Sequence, residues 1–91
     1  LCILGDVNPG AIVSANKSIF VWGKLQGIAI AGVGGNNFAS IASLYLNPLQ
    51  LRIADVIAIG PQDKPKNHYP EIAVIDKRTI NIRPYIIETK N

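Results

Sequence analysis

The sequence predicts an all-β domain in which short parallel strands follow one another in a coil, an arrangement called a β-solenoid. Three observations lead to this prediction. A pattern of about 18 residues recurs, apolar residues between the turns alternate with period two, and eight glycines and six prolines interrupt the chain too often for helices of normal length. An antiparallel sandwich of short strands remains the alternative, because three imperfect copies form a short series.

The repeat is clearest in residues 5–13 (GDVNPGAIV) and 23–31 (GKLQGIAIA), which begin 18 residues apart. Each places a glycine, an apolar residue, a turn and a second apolar run in the same order. A looser third copy in residues 44–53 is delayed by an insertion at residues 33–37 (VGGNN), whose glycines and asparagines suit a loop with positive φ. Stacked turns of this kind bury their inward side chains against the turns above and below.

Alternation between the turns separates inward from outward side chains. The repeat also places Leu4 beside Trp22, with Tyr45 as the next in line, and Ile12 beside Ile30. The residues predicted to point inward are Ala11, Val13, Ala15, Ile19, Val21, Ala29 and Ala31.

Large apolar side chains are predicted to point outward between these positions. Burying one such side chain contributes about 1.5–3 kcal/mol, so a continuous outward stripe favours a partner surface over solvent. The natural use of such a stripe is an isologous homodimer, in which the stripe packs against its symmetry mate. The residues predicted to form this dimer interface are Leu4, Ile12, Phe20, Trp22, Ile28 and Ile30.

The composition divides a single domain into a coiled core, residues 1–61, and a linker with a capping hairpin, residues 62–91. Residues 62–70 (QDKPKNHYP) are polar and contain two prolines. Two alternating runs follow on either side of residues 76–78 (DKR), and this pattern indicates a β-hairpin. We expect the hairpin to cap the stack or to extend one of its faces.

The composition favours a cytosolic protein that buries apolar surface against a partner. At 91 residues the chain is one domain, and 48% hydrophobic residues are more than one small core can hide. Cys2 is the single cysteine, so no internal disulfide is possible and nothing suggests secretion.

The sequence predicts neither a membrane span nor a nucleic-acid surface. Apolar runs end long before the ~20 residues of a membrane span. The net charge of +3 is spread along the chain, so no nucleic-acid surface is predicted.

The sequence offers no site for catalysis, a cofactor or a metal. It contains one histidine and one cysteine, and no His/Asp/Glu cluster has the spacing of a metal site. His68 lies in the polar segment and is expected to be exposed. Residues 32–35 (GVGG) lack the Lys-Ser/Thr ending of a phosphate-binding loop. We therefore expect a binding module and not an enzyme.

Two turn motifs resemble the C-terminal domain of the MinC family of septum-site-determining division inhibitors. Residues 4–11 (LGDVNPGA) resemble that family's GDVNPGAE-type turn, and residues 21–32 (VWGKLQGIAIAG) are similar to its VWGxLRGxAxAG stretch. Residues 49–54 (LQLRIA) resemble its last turn, and residues 82–84 resemble its closing strand more loosely. The likeness covers residues 1–58 best.

The resemblance implies a right-handed three-sided β-helix that forms a homodimer and binds the membrane-associated ATPase MinD. It also implies a role in preventing assembly of the FtsZ ring at wrong positions, by recruitment without chemistry. The expected location is the cytoplasm, with recruitment to the inner membrane face through MinD and no direct contact with the membrane.

Two departures concern the contact residues. The family's MinD-contacting segment, similar to RSGQ, lies before the GDVNPG turn, and this sequence begins after its position. Residues 26–28 (QGI) stand where the family often has Arg-Gly followed by a basic residue linked with FtsZ antagonism. The candidate polar partner contacts are Asp6, Asn8, Lys24 and Arg52, with turn formation and solubility as their alternative roles.

A structural protein is the competing interpretation. Bactofilin-type cytoskeletal proteins also stack β-helical turns of about 18 residues, and they polymerise end to end. The predicted hairpin argues against such a polymer, because a capped end blocks stacking.

Overall fold

The computed structural model describes residues 1–59 and 69–85, and within these ranges it contains nine strands and no helix. One sheet has five strands in the order β1-β3-β5-β8-β9, and the other has four in the order β2-β4-β6-β7. The protein is therefore all-β, as predicted. The strands are β1 (Cys2–Leu4), β2 (Ile12–Ser14), β3 (Ile19–Leu25), β4 (Ile28–Ala31), β5 (Ile41–Leu46), β6 (Gln50–Ile53), β7 (Val56–Ile59), β8 (Glu71–Asp76) and β9 (Thr79–Pro84).

The first six strands pair in parallel, and the last three pair antiparallel. Strands β1, β3 and β5 form one parallel set, and β2, β4 and β6 form the other. Strand β7 joins β6, whereas the β8–β9 hairpin joins β5. Parallel neighbours need a crossover connection, so this pairing excludes the antiparallel sandwich for the repeated part of the chain.

The predicted 18-residue register is correct for two pairs and wrong for a third. Leu4 lies beside Trp22, and Val7 pairs with Leu25. Ile12, however, pairs with Ile28 and not with Ile30. The reason is the turn length: five positions separate Val7 from the start of β2 at Ile12, but only three separate Leu25 from the start of β4.

Tyr45 pairs with Lys24 and not with Trp22, contrary to the prediction. The register between β3 and β5 shifts after Val21, which lies opposite Ser43. Two residues of β3, Trp22 and Gly23, then occupy the space of one residue of β5. This is a β-bulge, which bends the strand and changes the direction in which its side chains point.

The core lies between the two sheets and consists of small and branched apolar side chains. Of the residues predicted to point inward, Ile19, Val21, Ala29 and Ala31 are fully buried, and Val13 and Ala15 pack against the core from its margin. Ala11 was also predicted to point inward, and this was wrong. It is exposed, because it belongs to the turn before β2. The core residues are Val7, Ile19, Val21, Leu25, Ala29, Ala31, Ala39, Ile41, Leu46, Leu51, Ile53 and Ala73.

Close backbone contact explains the glycines of the second motif. A Cβ atom on Gly23 would lie 2.4 Å from the carbonyl oxygen of Gly5, and one on Gly27 would lie 2.4 Å from the carbonyl oxygen of Ala11. Atoms cannot approach so closely, so only glycine fits at these two positions. The motif GKLQG thus packs directly on the motif GDVNPG that precedes it.

The insertion at residues 33–37 forms the predicted loop with positive φ. Gly34 and Gly35 have φ values of 97° and 104°. The loop lengthens the repeat from 18 to 22 positions. Cys2 pairs with Phe20, 18 positions later, whereas Phe20 pairs with Ala42, 22 positions later.

The predicted hairpin is confirmed, and it extends the five-stranded sheet through the pairing of β8 with β5. Its turn is formed by Lys77 and Arg78, both with positive φ. Strand β7 was not predicted; it follows a turn at Ala54, whose φ is 55°. Residues 60–68 and 86–91, which include most of the predicted linker and His68, lie outside the described residues.

Candidate protein-binding faces

The outer side of the five-stranded sheet carries a cluster that we call the aromatic face, made of Cys2, Leu4, Phe20, Trp22 and Tyr85. Leu4 is 83% exposed and Trp22 is 50% exposed. The Phe20 ring lies 5.4 Å from the Trp22 ring and 6.1 Å, edge-on, from the Tyr85 ring, measured between centroids. These rings hold one another in place and leave a large apolar surface uncovered.

An open groove of about 310 Å³ adjoins these rings. Phe20 and Tyr85 form part of its wall, and Ala42 and Ile72, the next two residues across the sheet from Phe20, continue it. A groove beside exposed rings can receive a bulky side chain from a partner. The full lining is Leu1, Cys2, Ser18, Ile19, Phe20, Ser40, Ala42, Ile72 and Tyr85.

The outer side of the four-stranded sheet carries a second apolar surface, which we call the isoleucine face. Its outward side chains form two rows that cross all four strands. Three of its isoleucines are more than half exposed: Ile12 (64%), Ile57 (56%) and Ile59 (79%). The rows are Ile12, Ile28, Gln50 and Ile59, and Ser14, Ile30, Arg52 and Ile57.

The six residues predicted for the dimer interface fall on two different sheets. Three belong to the aromatic face and three to the isoleucine face, so one pair of apposed sheet faces does not contain them all. The three on the aromatic face are Leu4, Phe20 and Trp22; the three on the isoleucine face are Ile12, Ile28 and Ile30.

The four predicted polar contacts do not form one cluster. Asp6 and Lys24 are adjacent, since the Lys24 backbone N–H donates a 2.8 Å hydrogen bond to Oδ1 of Asp6. Asn8 lies in the turn that follows, and its backbone carbonyl oxygen accepts a hydrogen bond from the Ala11 N–H. Arg52 lies on the isoleucine face.

Lys24 and Arg52 have different surroundings. The Lys24 ammonium lies 5.9 Å from the centroid of the Tyr45 ring, a cation–π distance. The Arg52 Nε–H donates a 3.0 Å hydrogen bond to the carbonyl oxygen of Ala54. Lys24 therefore lies beside Asp6 and Tyr45, whereas Arg52 lies between Ile30 and Ile57 of the neighbouring strands.

Sequence reasoning missed Ile57, Ile59 and Tyr85. The two isoleucines belong to β7, whose short run of apolar, mostly β-branched residues, Val56-Ile57-Ala58-Ile59, was an available strand signal. Tyr85 contacts Phe20 only because the hairpin folds back onto β5, a non-local contact that gives no local sequence signal.

The described residues contain no group of three or more His, Cys, Asp or Glu side chains that could hold a metal ion. The buried Ser43 has a structural role at the bulge: its hydroxyl donates to the Gly23 carbonyl oxygen at 3.3 Å and accepts from the Tyr45 N–H at 3.0 Å. Among the described residues, no helix is long and apolar enough to cross a membrane.

The chain is similar to bacterial proteins that share one description, probable septum site-determining protein MinC. The chain is 62% identical over 87 residues to a probable septum site-determining protein MinC of Prochlorococcus marinus, covering 96% of this chain and 40% of that protein. The corresponding protein of a Nostoc species is 51% identical over 80 residues, covering 88% of this chain and 22% of the relative. The chain thus spans less than half the length of these relatives.

A solved structure described as the MinC:MinD cell division protein complex of Aquifex aeolicus contains a similar chain, with a TM-score of 0.88 and 41% sequence identity over 92% of this chain and 70% of that one. Residues 1–85 match the family model described as the septum formation inhibitor MinC, C-terminal domain. The chain belongs to this family.

Proposed function

We propose that the chain is the dimerisation and partner-binding domain of a MinC-type division inhibitor. In this role it binds a MinD-type ATPase and helps to prevent assembly of the FtsZ ring at wrong sites. The likeness to a chain from a MinC:MinD complex, at 41% identity, carries the ATPase assignment. The mechanism is recruitment without catalysis, because the domain offers two exposed apolar faces for binding.

The same proposal includes the location. The protein acts in the cytoplasm and reaches the inner membrane face through the ATPase. Two copies joined by the domain would place two inhibitory arms close together, which raises their effective concentration at the membrane.

We also propose that the repeated strands form turns of a right-handed three-sided β-helix, with residues 1–61 as its core and 62–91 as linker and cap. Parallel pairing at about 18 to 22 positions supports this arrangement. The bulge at Trp22–Gly23 supports a coil with three sides, because it divides β3 into two parts. The first part pairs with β1, and the second lies beside Val7.

We assign the homodimer contact to the aromatic face. Tryptophan, tyrosine and other large rings dominate the binding energy of protein interfaces when they enter a pocket of the partner. Its residues on β1 and β3 carry no charge that an isologous contact would bring against its own copy; they are Cys2, Leu4, Phe20 and Trp22.

A binding experiment with MinD tests the partner assignment. The chain, extended upstream to include the segment before Leu1, is immobilised and exposed to MinD with ATP or with ADP. We expect retention of MinD with ATP. Failure of the extended protein to retain MinD with either nucleotide would rule out the proposed partner.

A further inference from the structure

The isoleucine face has one charged residue among its outward positions, and this residue suggests what the face binds. We propose that the face binds a polypeptide segment that presents apolar side chains on either side of one carboxylate, and that Arg52 binds this carboxylate. The inference rests on the proposed function only in assigning the homodimer to the aromatic face.

Arg52 lies between two isoleucines in one of the two outward rows, near the end of β6. Across the sheet it is flanked by Ile30 on β4 and Ile57 on β7. Neighbouring strands lie about 4.8 Å apart, so the side chains of both isoleucines are within reach of anything that contacts the guanidinium. A segment bound here would therefore cover apolar surface and the arginine together.

The guanidinium of Arg52 is held in place by a hydrogen bond to the backbone. Its Nε–H donates a 3.0 Å hydrogen bond to the Ala54 carbonyl oxygen, which leaves the two terminal nitrogens with their N–H groups. No described carboxylate forms an ion pair with it. A fork of N–H donors in a fixed orientation is the geometry that binds a carboxylate in bidentate fashion.

The energetics of burial require an anion from the partner. An apolar segment without one would cover Arg52 and leave a charge buried and unpaired, which costs far more than the apolar contact of one side chain gains. A carboxylate on the segment offsets this cost, because it accepts strong charge-assisted hydrogen bonds from the guanidinium. Arg52 therefore acts as a specificity residue that rejects purely apolar segments.

A second copy of the chain does not satisfy this requirement. An isologous contact through the isoleucine face would bring two Arg52 side chains onto the same surface, and none of the eight outward positions supplies an acidic residue. Like charges at an interface disfavour the complex.

A peptide selection tests the inference without knowledge of the natural partner. The 91-residue chain is immobilised and used to select a phage-displayed library of random dodecapeptides. We expect enriched peptides to share a central Asp or Glu flanked by apolar residues, and to lose binding to Arg52→Gln and to Ile57→Ser. Arg78→Gln, which makes the same replacement in the hairpin turn and outside the isoleucine face, serves as the matched control and should bind as the unchanged chain does.

The affinity of one enriched peptide then separates recognition from a general effect on folding. Replacing its acidic residue by the corresponding amide should weaken binding to the unchanged chain at least tenfold, and should have little effect on binding to Arg52→Gln. For Arg52→Lys the loss of affinity should be intermediate between those of the unchanged chain and Arg52→Gln, because lysine keeps the positive charge but lacks the forked N–H donors of the guanidinium. Thermal unfolding of each variant checks that the fold is retained.

Three outcomes would overturn the inference: no enrichment of peptides, enriched peptides without an acidic residue, or peptides that bind Arg52→Gln as well as the unchanged chain. A change from dimer to monomer in Ile57→Glu would also overturn it, because the face would then be occupied by a second copy. None of these outcomes depends on MinD binding, so failure here is distinct from failure of the proposed function.

Discussion

The backbone N–H of Lys24 donates a 2.8 Å hydrogen bond to the Oδ1 atom of Asp6, which lies 18 positions earlier in the chain. The bond joins the first copy of the repeat to the second at the point where the bulge interrupts the β3 ladder. One carboxylate oxygen of Asp6 thus has a structural partner, in addition to any contact that Asp6 makes with another protein.

Replacing Asp6 by alanine should therefore lower the free energy of unfolding by about 1 kcal/mol, the typical net value of one hydrogen bond. Asp6→Asn should retain most of the stability, since its amide oxygen also accepts a hydrogen bond. Urea unfolding of the isolated chain measures both. Lys24→Gln keeps the bond, which uses the backbone of Lys24, and loses only the contact of its ammonium with the Tyr45 ring. Equal stability of Asp6→Ala and the unchanged chain would show that the bond contributes nothing.

Gly23→Ala should be far more damaging than alanine at an open glycine. A Cβ atom at Gly23 would meet the backbone oxygen of Gly5 at 2.4 Å, and backbone cannot move aside as a flexible side chain can. We expect a loss of at least about 3 kcal/mol or failure to fold, in the upper range of single substitutions. Gly34→Ala, where no atom lies within 4 Å, should cost only the ~1–2 kcal/mol of its positive φ.

Circular dichroism and urea unfolding of the two alanine variants provide the comparison. A Gly23→Ala variant as stable as Gly34→Ala would mean that the first two copies of the repeat can separate without cost, which contradicts the tight stacking of their turns.

Arg78→Gly should stabilise the chain by about 0.5–1 kcal/mol. Lys77 and Arg78 have φ values of 53° and 61°, so the two-residue turn between β8 and β9 has the left-handed backbone of a type I′ turn, which favours Asn-Gly. Glycine adopts this backbone without steric cost. Arg78→Ala removes the same charge without gaining this freedom, and its midpoint in thermal unfolding should stay close to that of the unchanged chain.

The sequence repeat was sufficient to predict short parallel strands, the hairpin and every inward side chain except Ala11, because these depend on local alternation and on glycines at fixed spacing. It was insufficient for the register beyond Val7 and Leu25. The turn before β2 is two residues longer than the turn before β4, and the bulge at Trp22 and Gly23 adds one residue to β3. Both irregularities become visible only when the strands are paired.

The division of the apolar surface into two faces was also beyond the sequence. Phe20 and Ile28 are both outward and apolar, and nothing in their local pattern states that they join different sheets. The assignment depends on the direction in which the chain turns between β3 and β4. The separate roles proposed for the aromatic face and the isoleucine face follow from this division.

If two copies of the chain pair through the aromatic face, as proposed, Trp22→Glu should yield monomers. The side chain is 50% exposed in the single chain, so a carboxylate is tolerated there in the monomer, whereas burial of two carboxylates in a dimer costs several kcal/mol. Sedimentation velocity should give a species near the 9.8 kDa of one chain. Phe20→Glu should behave in the same way.

Ile57→Glu is the matched control for this prediction, because it places the same charge on a residue of similar exposure, 56%, on the other sheet. It should leave the dimer intact. If Ile57→Glu produced monomers and Trp22→Glu did not, the two faces would exchange roles, and the uncharged aromatic surface would be left for the partner.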